Sequence, residues 1–134
     1  MRILFYDTKS YDREFFEKLL PSYPGIEIKF IEANIHEETA ALAHGYDAIC
    51  AFVNADLGAP VIEELHRQGV KLILMRCAGY NNVDLETTVK CGIQVVRVPG
   101  YSPEAVAEHA MALALPANRH THHASIKCRE NTFA

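Results

Sequence analysis

The stretch Asp47–Met75, DAICAFVNADLGAPVIEELHRQGVKLILM, decides the fold. Asp47–Val53 is a mostly apolar run of strand length. Pro60–Gln68 reads as a helix with Pro in its first turn and Gly69 just past its end. Lys71–Met75 is a second short apolar run. A strand, a helix and a strand in so short a span make a crossover between parallel neighbours.

The same alternation runs outward in both directions. Arg2–Tyr6 is a strand, and Tyr11–Leu20 is a helix with Tyr11, Phe15, Phe16, Leu19 and Leu20 on one face, stopped by Pro21 and Pro24-Gly25. Glu27–Ile31 alternates charged and apolar residues, as an outer strand does. His36–Ala43 is a short helix ended by His44-Gly45. Asp84–Cys91 is a helix stopped by Gly92, and Gln94–Val98 is a fifth strand ended by Pro99-Gly100. The expectation is an α/β fold: a flavodoxin-like, doubly wound, parallel five-stranded sheet of order 2-1-3-4-5. The amphipathic second strand falls on an edge, and the apolar strands 1, 3, 4 and 5 are expected to be covered on both faces.

Beyond residue 100 the pattern changes. Ser102-Pro103-Glu104 has the chemistry of a helix start, with Ser as the cap. Ala105–Leu115 is then apolar nearly all round, so this crossover helix calls for burial against a second domain or a second subunit, as a homodimer or a domain-swapped oligomer. Pro116 is expected to kink or end it, and Asn118–Ala134, polar and His-rich, has little reason to fold alone. Residues 1–100 read as one domain and 101–134 as a crossover helix and tail.

At 134 residues and 49% hydrophobic, the chain is long enough to bury a core without disulfides or a metal. A formal charge of -4 argues against a nucleic-acid partner. Cys50, Cys77, Cys91 and Cys128 include no CxxC pair, which favours reduced thiols and a cytoplasmic setting. No signal peptide and no long apolar run is evident, so no membrane partner is expected.

Ligands of open α/β sheets bind beyond the carboxyl ends of the strands. In the loop Arg76–Asp84, Gly79 can adopt positive φ, successive N–H groups can converge on an anion, and Ala78 leaves the backbone approachable. A small carboxylate suits such a turn, although a glycine there is more often only a turn. Tyr101 offers a ring and a hydroxyl, and Phe52 ends the third strand; a surface tyrosine and a core aromatic are the plainer readings. His109 reads as a structural residue within an apolar helix. His120, His122, His123 and Cys128 lack the spacing of a helical metal site, and a solvated tail is the better reading. Glu37-Glu38 and Glu63-Glu64 are adjacent, so neither is a catalytic dyad. There is no Gly-x-Gly-x-x-Gly, no Walker loop and no Gly-x-Ser-x-Gly. A phospho-receiver fails at Asp7, at Phe52-Val53-Asn54 and at Pro99-Gly100-Tyr101, and Asp7-Thr8-Lys9-Ser10 is a poor flavin phosphate loop. A stand-alone binding module that self-associates through its C-terminal helix is the competing reading.

Met75-Arg76-Cys77-Ala78-Gly79-Tyr80-Asn81-Asn82-Val83-Asp84 resembles the substrate-carboxylate loop of the NAD-dependent D-2-hydroxyacid dehydrogenases. Val98-Pro99-Gly100-Tyr101-Ser102-Pro103-Glu104-Ala105-Val106-Ala107-Glu108-His109-Ala110 is similar to that family's crossover into its nucleotide domain, in the spacing of the D-lactate dehydrogenase branch. The resemblance implies two doubly wound domains and hydride transfer between NADH and a 2-keto acid. It assigns substrate contact to Phe52, Cys77, Ala78, Gly79 and Tyr101, with Phe52 limiting side-chain size and Arg76 pinning the loop. It also implies that the catalytic Arg, Glu and His and the glycine-rich cofactor loop lie beyond residue 134. On that expectation the chain alone is inactive, has no catalytic residue of its own and does not bind NAD.

Overall fold

The computed structural model describes residues 1–132; Phe133 and Ala134, the end of the expected tail, lie outside the described residues. The chain divides into two units, Met1–Pro99 and Gly100–Ala134.

In the first unit five parallel strands stand in the order β2-β1-β3-β4-β5: β1 Arg2–Phe5, β2 Glu27–Phe30, β3 Ala48–Ala51, β4 Leu72–Met75 and β5 Gln94–Arg97. The helices between them are α1 Ser10–Leu19, α2 Glu37–Ala40, α3 Ala59–Arg67 and α4 Leu85–Cys91. The expected second helix is thus a single α-turn continued by a 3-10 turn, Ala41–Ala43. Two helix ends follow from local chemistry. Asp84 caps α4 by accepting from the Thr87 N–H at 3.0 Å, and Gly92 ends it at φ +67.

The two faces of the sheet are unequally covered. On one, Leu4, Tyr6, Ile49, Ala51, Ile73 and Met75 meet Val61, Ile62 and Leu65 of α3 and the loop residues Ile35, Leu57 and Val83. On the other, Ile3, Phe5, Ala48 and Cys50 are backed by half-buried Ile28, Phe30, Leu72 and Leu74. Phe16 of α1 packs edge-on to Phe5 at 5.1 Å, but no α1 residue is buried, and Phe15 and Leu19 stand well exposed. Only part of the expected apolar face of α1 therefore reaches the sheet. The expectation that strand five is covered on both faces also fails, because β5 is an edge and Val96 is 47% exposed. An apolar strand composition reports hydrophobicity, not which neighbours arrive.

In the second unit α5 runs Pro103–Arg119 with Pro116 inside it, so the helix does not end at Pro116. A proline removes one i→i−4 hydrogen bond, here to the Ala112 carbonyl, and the turns on either side tolerate that loss. Ser102 makes no side-chain capping bond, contrary to expectation, and Pro103 occupies the first turn instead. Thr121–Arg129 form a further helix, α6, where no order was expected. Its Lys127 and Arg129 fall in the last turn, where cations favour the helix dipole. Among the described residues no helix is long and apolar enough to cross a membrane.

Candidate functional site

The carboxyl ends of β1, β3, β4 and β5 bring together the Tyr6–Ser10 turn, Phe52–Asp56, Arg76–Asn82 and Val98. Arg76 organises them. Its Nη2 donates to the carbonyls of Tyr6 at 2.9 Å and Asp7 at 2.8 Å, and its Nη1 to Asp12 Oδ2 at 3.0 Å. The guanidinium also lies 4.6 Å from the Phe5 ring centroid and 4.8 Å from that of Phe52. It is turned inward, as a group that pins the loop. Its Nε is buried without a hydrogen-bond partner. Beside it, burial pushes the Cys50 thiol from 9.0 up to about 12, and the Arg76 charge pulls it part of the way back.

A second set of bonds ties the β3 and β4 loops together. Asn82 Nδ2 donates to the Ala55 carbonyl at 2.9 Å, the Leu57 N–H to the Asn82 carbonyl at 3.2 Å, and the Asp84 N–H to the Leu57 carbonyl at 2.9 Å. Leu57 and Val83 pair as an isolated parallel bridge, and both are buried.

Three consecutive carbonyls, of residues 77, 78 and 79, are held by the protein. The Cys77 carbonyl accepts from the Val98 N–H at 3.2 Å, the Ala78 carbonyl from Arg97 Nη1 at 3.0 Å, and the Gly79 carbonyl from Cys77 Sγ at 3.2 Å. Every described peptide bond is trans, and in a planar trans peptide the N–H points opposite to the C=O. Three consecutive carbonyls held by the protein therefore aim the N–H groups of Ala78, Gly79 and Tyr80 away from their anchors. Among the described residues those three N–H groups donate to no protein acceptor. Ala78 is half-buried, while Gly79 and Tyr80 are exposed. Unpaired donors at a strand end are available to an anion, and with Gly79 and Tyr80 exposed they are equally open to water.

The route to this geometry differs from the one expected. Gly79 is not among the residues with positive φ, so the donors are set by three carbonyl anchors and not by a left-handed turn. A Cβ at Gly79 would meet nothing within 4 Å.

Of the other sequence candidates, Cys77 is buried at 5% exposure and burial pushes its thiol up, so its side chain supports the loop from within. Phe52 is half-buried at the end of β3 with its ring against Arg76. Tyr101 belongs to the second unit and is 67% exposed. The His122 and His123 rings lie 4.1 Å apart, yet among the described residues no three His, Cys, Asp or Glu side chains are placed to hold a metal ion. Arg97, Asn82 and Asp12 were not singled out by the sequence, because the contacts by which they order the site reach loops distant in the chain.

The turn after β1 does not fit the pyrophosphate of a dinucleotide. The turn after β1 has no glycine, Asp7 sits in it, and Asp12 Oδ2 already accepts from the Lys9 N–H at 2.9 Å at the start of α1. A pyrophosphate would meet two carboxylates where that fold normally offers free amides.

The chain is 45% identical over 134 residues to the D-lactate dehydrogenase of Escherichia coli, covering 100% of this chain and 40% of that protein. The apo structure of that enzyme superposes with a TM-score of 0.78, covering 100% of this chain and 42% of its own. A structure of the pyruvate reductase of Chlamydomonas reinhardtii is 42% identical with a TM-score of 0.79, covering 100% of this chain and 39% of its own. The D-lactate dehydrogenase of Aquifex aeolicus, solved with NAD and lactic acid, is 25% identical with a TM-score of 0.77, covering 98% of this chain and 38% of its own. The chain thus spans about 40% of the length of these relatives. Residues 3–134 match the family D-isomer specific 2-hydroxyacid dehydrogenase, catalytic domain, and the chain belongs to that family.

Proposed function

We propose that the chain is the substrate side of an enzyme interconverting pyruvate and D-lactate, and that the Arg76–Asn82 loop grips the substrate carboxylate. The observation that carries this reading is the run of anchored carbonyls at Cys77, Ala78 and Gly79, with the opposed N–H groups unpaired. Amides so fixed need not reorganise when a carboxylate arrives, and the orientation they impose contributes to rate as well as affinity. Phe52, braced by Arg76, limits the substrate side chain, which favours pyruvate over bulkier keto acids. The redox cofactor of the whole protein, NAD, finds no fitting pyrophosphate turn after β1, so the chain alone binds the acid but neither binds NADH nor turns over. The setting proposed for the whole protein is the cytoplasm.

The test is a pyruvate titration of the 15N-labelled chain. The expected result is saturable shifts of the Ala78, Gly79 and Tyr80 amide signals, together with no saturable NADH fluorescence change in the micromolar range. Unmoved signals at all three positions, or micromolar NADH binding, would sink the reading.

A second reading concerns assembly. Val106, Met111, Leu113 and Leu115 of α5 are each more than half exposed, an unusual display of large apolar side chains for one helix. We propose that α5 pairs with its counterpart in a second copy. Light scattering at rising concentration is expected to show a dimer that Leu113→Asp dissolves, and a monomer throughout would remove the proposal.

A further inference from the structure

We infer that Arg97 is a positioning residue for the carboxylate site: its guanidinium sets the plane of the Ala78–Gly79 peptide and so the aim of the Gly79 N–H. The inference rests on the carboxylate reading above and identifies what holds its central donor in place.

The three carbonyl anchors are not equivalent. The Cys77 carbonyl is held by the Val98 main chain, part of the sheet's own continuation, and the Gly79 carbonyl by Cys77 Sγ, inside the loop. Only the middle anchor is a long side chain from another element: Arg97, the last residue of β5, donating from Nη1 to the Ala78 carbonyl at 3.0 Å. The same guanidinium lies 5.3 Å from the Tyr80 ring centroid, so it touches the loop on both sides of Gly79. Among the described residues it has no carboxylate partner, although Arg2, Arg13, Arg67 and Arg76 each have one. Its bonding capacity is directed at the loop.

The peptide that Arg97 holds is also one of the two that Gly79 leaves free to turn. A peptide plane rotates through ψ of the residue before it and φ of the residue after it. The residue after it is Gly79, which has no Cβ to resist the rotation, and a Cβ there would meet nothing within 4 Å. Rotated, the plane would present a carbonyl to the substrate carboxylate in place of an N–H. Arg97 supplies the restraint that glycine lacks. Its positive charge adds an attraction for the acid, which falls with salt, whereas the positioning effect does not.

The experiment compares Arg97→Met and Arg97→Lys with the unmodified chain, reading amide signals with and without pyruvate. Without ligand, Arg97→Met should move or split the Gly79 amide signal. With ligand, it should weaken pyruvate binding about tenfold, the scale of one lost oriented hydrogen bond. The loss should persist at 0.5 M NaCl, and Arg97→Lys, which retains a donor, should bind within about threefold of the unmodified chain. An unchanged Gly79 signal in Arg97→Met, a loss that vanishes in high salt, or no rescue by lysine would each overturn the inference. An unmodified chain that ignores pyruvate would instead overturn the carboxylate reading, and the ligand-free Gly79 signal would still decide whether Arg97 sets the peptide plane.

Discussion

Arg76→Met is expected to destabilise the first unit by about 1.5–3 kcal/mol, the range for losing hydrogen bonds to a charged group in a part-buried pair. The Arg76 and Asp12 side chains are 14% and 11% exposed and meet at 3.0 Å, so the surviving carboxylate would stay largely desolvated and unpaired. The Tyr6 and Asp7 carbonyls would lose their donor as well. Methionine approximates the stem and leaves the packing against Phe5 and Phe52 largely intact, which isolates the polar loss. Urea unfolding followed by circular dichroism measures it. A loss under about 1 kcal/mol would mean that water replaces Arg76 freely, and the loop would then need another explanation for its order. Asp12→Asn should reproduce part of the effect, because it keeps the guanidinium and removes the charge it pairs with.

The second large effect is expected from Leu57→Ala. Leu57 is fully buried, and its main chain bridges the β3 and β4 loops through Asn82 and Asp84. Truncating a buried leucine costs about 2–5 kcal/mol, depending on how far the surroundings collapse into the void. Here collapse is limited, because Val61, Ile62 and Leu65 are held at zero exposure by α3 and the sheet. The upper half of that range is therefore expected in equilibrium unfolding. Because the Leu57 main chain is bonded to Asn82 at the end of the loop, the amide signals of residues 78–80 should also broaden in the native state. A melt indistinguishable from that of the unmodified chain would show that the loop bridge, and not the leucine side chain, carries the stability.

The sheet was legible because its information is local. Asp47–Met75 contains two apolar strands and a helix with its own stop at Gly69, and each local preference agrees with the parallel order observed. The stop at Gly92 could be read for the same reason. The second unit was read less well. Pro116 and Asn118 onward were judged by breaker and polarity rules, which describe average costs, and α5 and α6 bear those costs. For the candidate loop, its place in the chain was legible in the sequence, but the contacts that hold it were not. The loop at 76–82 stood out through Gly79 and its place after β4, whereas Arg97 and Asp12 act from 19 and 64 residues away on partners that no local pattern names. Gly79 does not adopt the positive φ open to it, and three carbonyl anchors hold the loop.

The grip of Arg76 on the Tyr6–Asp7 turn spans 69 and 70 residues of chain. Closing so long a loop comes late in folding, after the local crossovers have formed. The Arg76–Asn82 loop is therefore among the last parts of the first unit to acquire its shape. A peptide covering only 71–99 would carry all three donors and Arg97, yet lack the N-terminal turn that Arg76 grips. During synthesis the Tyr6–Asp7 turn waits for Arg76 to emerge, so the final shape of the loop reports that the carboxyl ends of β1 and β4 have been linked across β3.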